Sequence, residues 1–211
     1  MAIARATGTT PEELVGALAA RAGKLGVRTH RLADLDALAA LVAELVADGG
    51  PAAFAPTDGA GWRAIVAPAA EALHPGLTAH LEEHGVALTA ADAADPERAS
   101  VGVAVGLSLA RHGVAETGTL LVADTLVDRL VRMLAPKHVM ILDARDILPS
   151  LDEAGARLRA LIAAGPDGPG RYMTFITGPS RTADIEMSLT VGAHGPAEVH
   201  LAILGAATDA R

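Results

Sequence analysis

The sequence predicts an α/β fold: a Rossmann-like, mainly parallel sheet with helices on both faces, preceded by N-terminal helices. Short apolar runs of strand length recur from Arg63 onward, and segments with helical periodicity separate most of them. Because parallel strands need a long crossover connection, this alternation favours parallel pairing. The predicted strands are 64–67, 86–89, 101–105, 119–122, 138–142, 172–176 and 199–204.

Two helices are predicted before the first strand. Thr10-Pro11-Glu12-Glu13 has the pattern of a capping box with proline at the first helical position, and this helix is expected to end near Gly23 or Gly26. Gly49-Gly50-Pro51 ends the second helix. The apolar residues that repeat along one face of the second helix are Leu38, Leu41, Val42 and Leu45.

Further helices are predicted between the strands, over 77–84, 125–134 and 151–163. The last of them begins with a second capping box, Ser150-Leu151-Asp152-Glu153. The strands 101–105 and 119–122 are close enough in sequence to form an antiparallel ribbon. We divide the chain into an N-terminal helical segment, residues 1–50, and an α/β domain, residues 51–211, which together are expected to form one compact unit.

Length and cysteine content limit the chemistry of the chain. Its 211 residues are enough to bury a core without disulfide or metal staples. The chain contains no cysteine, which excludes thiolate-ligated iron–sulfur clusters, cysteine zinc sites, disulfides and cysteine nucleophiles within it. Any redox role would therefore depend on a borrowed cofactor or on a partner.

Charge and hydropathy argue against nucleic acid and membrane partners. The chain has 17 basic and 25 acidic residues, a net charge of −8, and only 2% aromatic residues, so basic surfaces and base-stacking platforms are not expected. The mean hydropathy is +0.34, but no run of about 18 residues is free of charges and turn formers. Residues 1–10 lack an apolar signal region, so we expect a cytoplasmic protein.

The first segment with candidate functional residues is 115–122. Gly118 permits a backbone conformation that other residues avoid, Thr117 and Thr119 have hydroxyls, and Glu116 has a carboxylate beside a predicted strand. The alternative is a tight turn in which the threonines bond to nearby backbone groups. Both interpretations remain open from this segment alone.

The second candidate segment, residues 177–186, follows the predicted strand 172–176. In an open α/β sheet, ligands bind outside the carboxyl ends of the strands, where a helix N-terminus can hold an anion. Gly178 would let the backbone approach such a ligand, and Arg181 could bind a carboxylate or phosphate. Ser180 or Thr182 could cap the following turn, and Asp184 could bind ligand hydroxyls or simply orient Arg181 as a loop brace.

Two histidine motifs need interpretation. His194, between Gly192 and Gly195, is accessible and titrates near neutrality, so it could serve as an acid or base or simply occupy a turn. His80-Leu81-Glu82-Glu83-His84 matches a helical zinc pattern, but acidic residues are common on solvated helices and His84 falls at the predicted helix end. We therefore predict no metal site.

Four motifs occur in order along the chain. They are A-E-T-G-T at 115–119, Pro136-x-His138 at the start of a strand, T-G-P-S-R-T-A-D-I-E at 177–186 and G-x-H-G-P at 192–196. Together they resemble the LUD-domain family, in particular its lactate-utilisation branch. The resemblance covers residues 60–204, and the two last motifs are its most specific part.

The resemblance implies a fold like that of the NagB/RpiA/CoA-transferase superfamily. It also implies a role in the oxidation of L-lactate to pyruvate together with partner proteins that bind iron–sulfur clusters. Because this chain has no cysteine, electron transfer would have to take place in those partners.

The motif positions are carried over as one expected site. In it, Arg181 and the N–H groups after Gly178 would receive the substrate carboxylate, while His194 exchanges a proton at the hydroxyl-bearing carbon. Glu116 is the second candidate catalytic residue. The expected substrate-binding residues are Thr117, Gly118, Thr119, Gly178, Ser180, Arg181, Thr182, Asp184 and Gly195.

Other function classes remain open. Within the superfamily, CoA transferases use a glutamate nucleophile and folate cyclo-ligases are relatives, so Glu116 could be the active carboxylate of a transferase or ligase. A non-catalytic subunit that binds a carboxylate metabolite or docks the iron–sulfur partners is the third class.

Overall fold

The fold was analysed in a computed structural model, which describes residues 9–57, 59, 61–91, 94–95, 99–163, 172–183, 189–192 and 195–205. The helices are α1 (Pro11–Lys24), α2 (Leu35–Ala47), α3 (Pro68–Leu73), α4 (Leu77–Glu83), α5 (Leu126–Leu134) and α6 (Leu151–Ala163). The strands are β1 (Val27–Leu32), β2 (Arg63–Val66), β3 (Leu88–Thr89), β4 (Val103–Leu109), β5 (His112–Val114), β6 (Thr119–Asp124), β7 (Lys137–Asp143), β8 (Ile147–Leu148), β9 (Tyr172–Ile176), β10 (Arg181–Ala183), β11 (Leu189–Val191) and β12 (Glu198–Leu204).

A six-stranded sheet forms the centre of the fold. Its order is β1-β12-β7-β4-β2-β3, and every neighbouring pair is parallel. A smaller sheet has the order β8-β5-β6-β9, and β10 pairs with β11 in an antiparallel ribbon. The predicted fold class is therefore confirmed.

Two features of the sheets differ from the sequence predictions. The ribbon predicted between 101–105 and 119–122 is wrong, because β4 pairs with β2 and β7 whereas β6 pairs with β5 and β9. The short strand β5 lies closer to β6 in sequence and takes the hairpin position. Strand β1 is not predicted from the sequence, and it pairs with β12 at the edge of the central sheet.

Local hydrogen bonds explain where three helices begin. The Thr10 hydroxyl accepts from the Glu13 backbone N–H at 3.3 Å, and the Thr10 backbone N–H donates to the Glu13 carboxylate at 2.7 Å. Thr125 and Asp128 form the same reciprocal pair at α5. At α6, Ser150 Oγ accepts from the Glu153 N–H at 3.4 Å. The capping box predicted at Thr10 is thus confirmed, whereas at Ser150 the structure shows one of the two hydrogen bonds of a capping box.

Each face of the central sheet is covered by a buried cluster. On one face, α2 packs on the middle strands. On the other face, α1 and the smaller sheet pack on β7 and β12, and α5 lies directly on β4. A Cβ atom at Gly106 would be 2.6 Å from the Val131 carbonyl oxygen, so glycine allows α5 to approach β4 closely. This approach fixes the position of α5 beside the start of β7.

Among the described residues, no helix has the length and apolar character needed to cross a membrane.

Candidate functional site

A cleft of about 230 Å³ opens between α5, β9 and the first residues of β7 and β12. It lies on the face of the central sheet away from α2. Both β7 and β12 contribute their second residue, so the cleft is at the amino ends of these parallel strands. The lining residues are Arg129, Arg132, Met133, His138, Thr174, Ile176, Gly178, Ser180, Gly195, Pro196 and Val199.

Arg132 is held in the wall of the cleft by a buried carboxylate. Its Nε and Nη2 atoms donate to the same oxygen of Asp124, at 3.1 Å and 2.6 Å. Asp124 is 2% exposed, and burial raises the pKa of its carboxyl group above the ordinary value, while Arg132 acts in the opposite direction. The pair fixes the guanidinium in one place, as a charge-assisted hydrogen-bond donor needs.

Arg129 is the second guanidinium of the cleft and lies one helical turn before Arg132. It is exposed, and its Cζ lies 5.1 Å from the centroid of the Tyr172 ring, in the geometry of a cation–π contact. Asp124 bonds directly to Arg132 and attracts the exposed Arg129 more weakly, which leaves the opening of the cleft cationic. An anion can bind there with little desolvation of the guanidinium.

His138 forms the floor of the cleft together with Val199. Its Nε2 atom lies 2.7 Å from the hydroxyl of Ser108, on the neighbouring strand β4. Burial is the main cause that lowers the pKa of His138 to about 3, and Arg132 and His200 add to this effect. The imidazole is therefore neutral at pH 7.

The glycine-rich segments predicted to bind substrate form one wall. The Ser180 N–H donates to the Pro196 carbonyl at 3.1 Å, and the Gly192 N–H donates to the Ser180 carbonyl at 2.9 Å. Gly178 has φ +131°, and a Cβ there would be 2.6 Å from the Leu25 carbonyl oxygen. The structure thus brings together Gly178, Ser180 and Gly195, which the sequence places in two separate motifs.

Arg181 is placed differently from the prediction. Its Nη2 atom donates to the Leu25 carbonyl oxygen at 2.9 Å, and it is not among the residues that line the cleft. Arg181–Ala183 is strand β10, so the expected helix N-terminus does not lie at these three residues. The preceding strand β9 pairs antiparallel with β6, so the rule about carboxyl ends of parallel strands does not apply to it.

Residues 115–118 of the first predicted segment form the turn between β5 and β6, and residues 119–122 lie in β6, which pairs with β9. None of residues 115–122 lines the cleft. Glu116 accepts a hydrogen bond from the Leu151 N–H at 3.0 Å, at the start of α6. Thr119 is buried in β6, and the Thr117 hydroxyl is a buried atom without a hydrogen-bond partner within the described part of the chain. Gly118 has φ +73° and faces the backbone of α1.

Substitution of Gly118 by alanine is expected to lower the free energy of unfolding by about 3 kcal/mol. The new Cβ would lie 2.6 Å from the Ala22 nitrogen and 2.7 Å from the Arg21 carbonyl carbon, in addition to the cost of the left-handed backbone. Urea unfolding measures the loss. Gly85→Ala is the matched control, because Gly85 has φ +77° and open space around it. Equal losses of the free energy of unfolding in both variants would show that α1 shifts to accommodate the methyl group.

Three predicted residues lie wholly or partly outside the described residues. His194 and Asp184 are not described, and only the backbone of Thr182 is. In the helical histidine motif, His80 Nδ1 lies 3.0 Å from an Asp36 carboxylate oxygen and His84 Nδ1 lies 2.9 Å from the His80 carbonyl oxygen. The described part of the chain has no cluster of three or more residues arranged to hold a metal ion.

The residues that give the cleft its charge are not predicted from the sequence. Arg129, Arg132 and Thr174 lie in elements that were predicted correctly, but nothing in their spacing distinguishes them from a solvated helix face or a strand. His138 was noticed only as part of a motif. One signal in the sequence could have indicated the cleft. Two arginines, Arg129 and Arg132, lie one helical turn apart, and the strand that contains His138 begins shortly after them.

Comparisons with known proteins agree with the motifs. The model of the LUD domain matches residues 16–204. Lactate utilization protein C from Bacillus subtilis (strain 168) is 37% identical over 93 residues, and the protein of that name from Geobacillus thermodenitrificans (strain NG80-2) is 36% identical over 93 residues. Both matches cover 44% of this chain and 38% of the relative, so they span less than half of the relatives' length.

A solved structure has the same fold. The crystal structure of a DUF162 family protein from Deinococcus radiodurans aligns over 93% of this chain and 99% of its own, with a TM-score of 0.61. Its sequence identity is 17%, so this likeness concerns the fold alone.

Proposed function

The chain belongs to the LUD domain family, and from this premise we propose that it takes part in the oxidation of L-lactate to pyruvate and binds a small carboxylate in the cleft lined by Arg129, Arg132 and His138. The cationic opening of the cleft is the observation on which this proposal mainly rests. The lactate utilization names of the curated relatives supply the metabolic context.

The size of the cleft supports a small ligand. Its volume of about 230 Å³ is below the 300–1,000 Å³ of pockets that hold drug-sized molecules. A three-carbon acid is small enough, whereas a nucleotide or a coenzyme would extend into solvent. A carboxylate also matches the planar fork of a guanidinium, which can donate two parallel hydrogen bonds to it.

Each part of the cleft has a distinct task in this proposal. Arg129 binds the carboxylate, and Arg132, positioned by Asp124, adds a fixed positive field beside it. The hydroxyls of Thr174 and Ser180 provide neutral polar contacts. The close packing of Gly178 against Leu25 holds the wall in place. This arrangement assigns carboxylate binding to Arg129 instead of Arg181.

Electron transfer is assigned to partners in this proposal. A chain without cysteine has no thiolate to ligate an iron–sulfur cluster, so the clusters would be bound by partner proteins of the pathway. The chain would then present the carboxylate to such a partner. Catalysis by the chain alone is not required.

Growth tests the metabolic role. A strain that lacks the gene is expected to fail on L-lactate and to grow on pyruvate as sole carbon source, with growth on lactate restored by the gene. Equal growth on both carbon sources, in a strain without a second lactate dehydrogenase, would contradict the proposal and favour the transferase or ligase class.

Substitution of Arg129 by glutamine is expected to weaken pyruvate binding about tenfold or more, because a hydrogen bond to a charged group is lost. Titration calorimetry with purified protein measures the change. Arg159→Gln is the matched control, since Arg159 is exposed on α6 and does not line the cleft. Unchanged pyruvate affinity in Arg129→Gln would show that the acid binds elsewhere.

A further inference from the structure

The hydrogen bond between Ser108 and His138 determines which nitrogen of the imidazole ring carries the hydrogen. Both residues are buried, at 0% and 1% exposure, on the adjacent central strands β4 and β7. The two atoms, Ser108 Oγ and His138 Nε2, are 2.7 Å apart. At this distance one of them donates a hydrogen to the other.

The direction of this hydrogen bond follows from what else the serine can reach. Within the described part of the chain, the Ser108 hydroxyl has no hydrogen-bond partner besides His138. If Nε2 donated to it, the buried O–H would have no acceptor, which costs about 1–3 kcal/mol. The favoured arrangement therefore has Ser108 donating to an unprotonated Nε2. In a neutral imidazole the hydrogen then lies on Nδ1.

The second ring nitrogen is the one that a ligand can reach. His138 Nδ1 has no hydrogen-bond partner among the described residues, yet it is not one of the fully enclosed polar atoms that lack a partner. His138 lines the cleft and its Nε2 atom is engaged by Ser108, so Nδ1 is the ring nitrogen left for a ligand. Arg132 lines the same cleft and disfavours a second positive charge on the ring.

We propose that His138 is a neutral hydrogen-bond donor in the cleft, that Ser108 sets its Nδ1–H tautomer, and that the donor recognises an oxygen on the carbon next to the ligand's carboxylate. This inference rests on the carboxylate site proposed above and adds the residue that selects among carboxylates there. In the 2-hydroxy and 2-oxo acids of the proposed function, a guanidinium binds the carboxylate and Nδ1–H binds the second oxygen. A simple alkanoate lacks the second oxygen.

The neutral donor has a chemical consequence for such a ligand. An N–H of a neutral imidazole polarises a keto or hydroxyl oxygen without transferring its proton at neutral pH. Binding should therefore proceed without proton uptake by His138. An imidazolium at the same place would instead couple binding to pH between 6 and 8.

The tautomer can be measured on the free protein. Nitrogen-15 and carbon-13 NMR of the histidine rings is expected to show His138 in the Nδ1–H form at pH 7, and Ser108→Ala is expected to lose this preference. An Nε2–H form in the wild-type protein would overturn the proposal. Thermal unfolding of Ser108→Ala verifies that the spectrum is that of folded protein.

Ligand selectivity tests recognition through a matched pair of variants. The wild-type protein is expected to bind pyruvate at least about fivefold more tightly than propionate, the difference that one hydrogen bond gives. In His138→Asn an amide N–H can occupy the position of Nδ1–H and keep this preference. In His138→Gln the amide reaches the Ser108 side instead, and the preference for pyruvate over propionate is expected to disappear.

Calorimetry in two buffers of different ionisation enthalpy completes the experiment. The heat of pyruvate binding is expected to be the same in both buffers, and uptake of one proton would overturn the neutral donor. Equal affinity of the wild-type protein for pyruvate and propionate would overturn the role of His138 alone. Binding of neither acid would overturn the carboxylate site and the recognition role with it.

Discussion

Substitution of Asp124 by alanine is expected to lower the free energy of unfolding by about 3–5 kcal/mol. The substitution removes the acceptor of two hydrogen bonds from Arg132 and leaves a guanidinium, 11% exposed, without a counter-charge. In the wild-type protein the carboxylate offsets the free-energy cost of desolvating that guanidinium. In the variant this cost is no longer offset. Urea unfolding monitored by circular dichroism measures the loss, and pyruvate binding should weaken as Arg132 moves.

Two comparisons identify the cause of that loss. Arg28→Ala removes one partner of an ion pair with Glu198 in which Arg28 is 64% exposed, and it should cost at most about 1 kcal/mol. The double substitution Asp124→Leu with Arg132→Met removes both buried charges and should restore much of the stability. If Asp124→Ala costs no more than Arg28→Ala, water solvates Arg132 and the cleft wall is less rigid than inferred.

The elements that sequence predicted well are those fixed by local interactions. A capping box is contained within four residues, so Thr10 to Glu13 identifies the start of α1 without knowledge of the rest of the chain. Strand β9 was predicted with its bounds, Tyr172–Ile176, from its apolar and aromatic run. The same reasoning could not tell which sheet β9 joins, because pairing depends on residues far away in sequence.

The missed strand β1 shows the limit of periodicity. Its sequence, VRTHRL, has polar residues on both faces, because it lies at the edge of the sheet. Only the pairing with β12 makes it a strand, in the register Val27 with Val199. A strand stabilised by its neighbour in this way leaves little hydrophobic pattern to detect.

The site was predicted in part for a similar reason. Gly178, Ser180 and Gly195 were proposed from motif density, and they do line one cleft. Arg181 was expected to bind the anion because it stands within that motif, but its contact is the Leu25 carbonyl oxygen of the α1–β1 connection. Arg129 and Arg132 reach the cleft because α5 packs close to β4, and this placement is a tertiary property.

The largest contributions to acid sensitivity should come from two histidines that are buried as neutral groups. Burial is the main cause that lowers the pKa of His138 to about 3 and that of His200 to about 4. His200 Nδ1 shares a 3.0 Å hydrogen bond with His30 Nε2, and their rings stack at 5.2 Å. Arg28 and His30 disfavour the charged form of His200, and Glu198 favours it.

Stability is therefore expected to fall as the pH decreases from 7 to 5, by about 2 kcal/mol for each of these two histidines. In this range the unfolded chain binds a proton at each histidine, with an unfolded pKa near 6.5, while the folded protein does not. The loss attributable to His138 ends as the pH falls through about 3, where the folded state also takes up the proton. Urea unfolding at several pH values measures the slope.

The variant His138→Asn identifies how much of the pH dependence of stability comes from the histidine in the cleft. The asparagine side chain does not titrate, so the variant should lose the contribution of about 2 kcal/mol that His138 makes to the decrease between pH 7 and 5, even if its stability at pH 7 is lower. His84→Asn removes a histidine from the exposed end of α4 and serves as the matched control. A slope that His138→Asn leaves unchanged would mean that water reaches the ring and that the imidazole is charged in the folded protein as readily as in the unfolded chain.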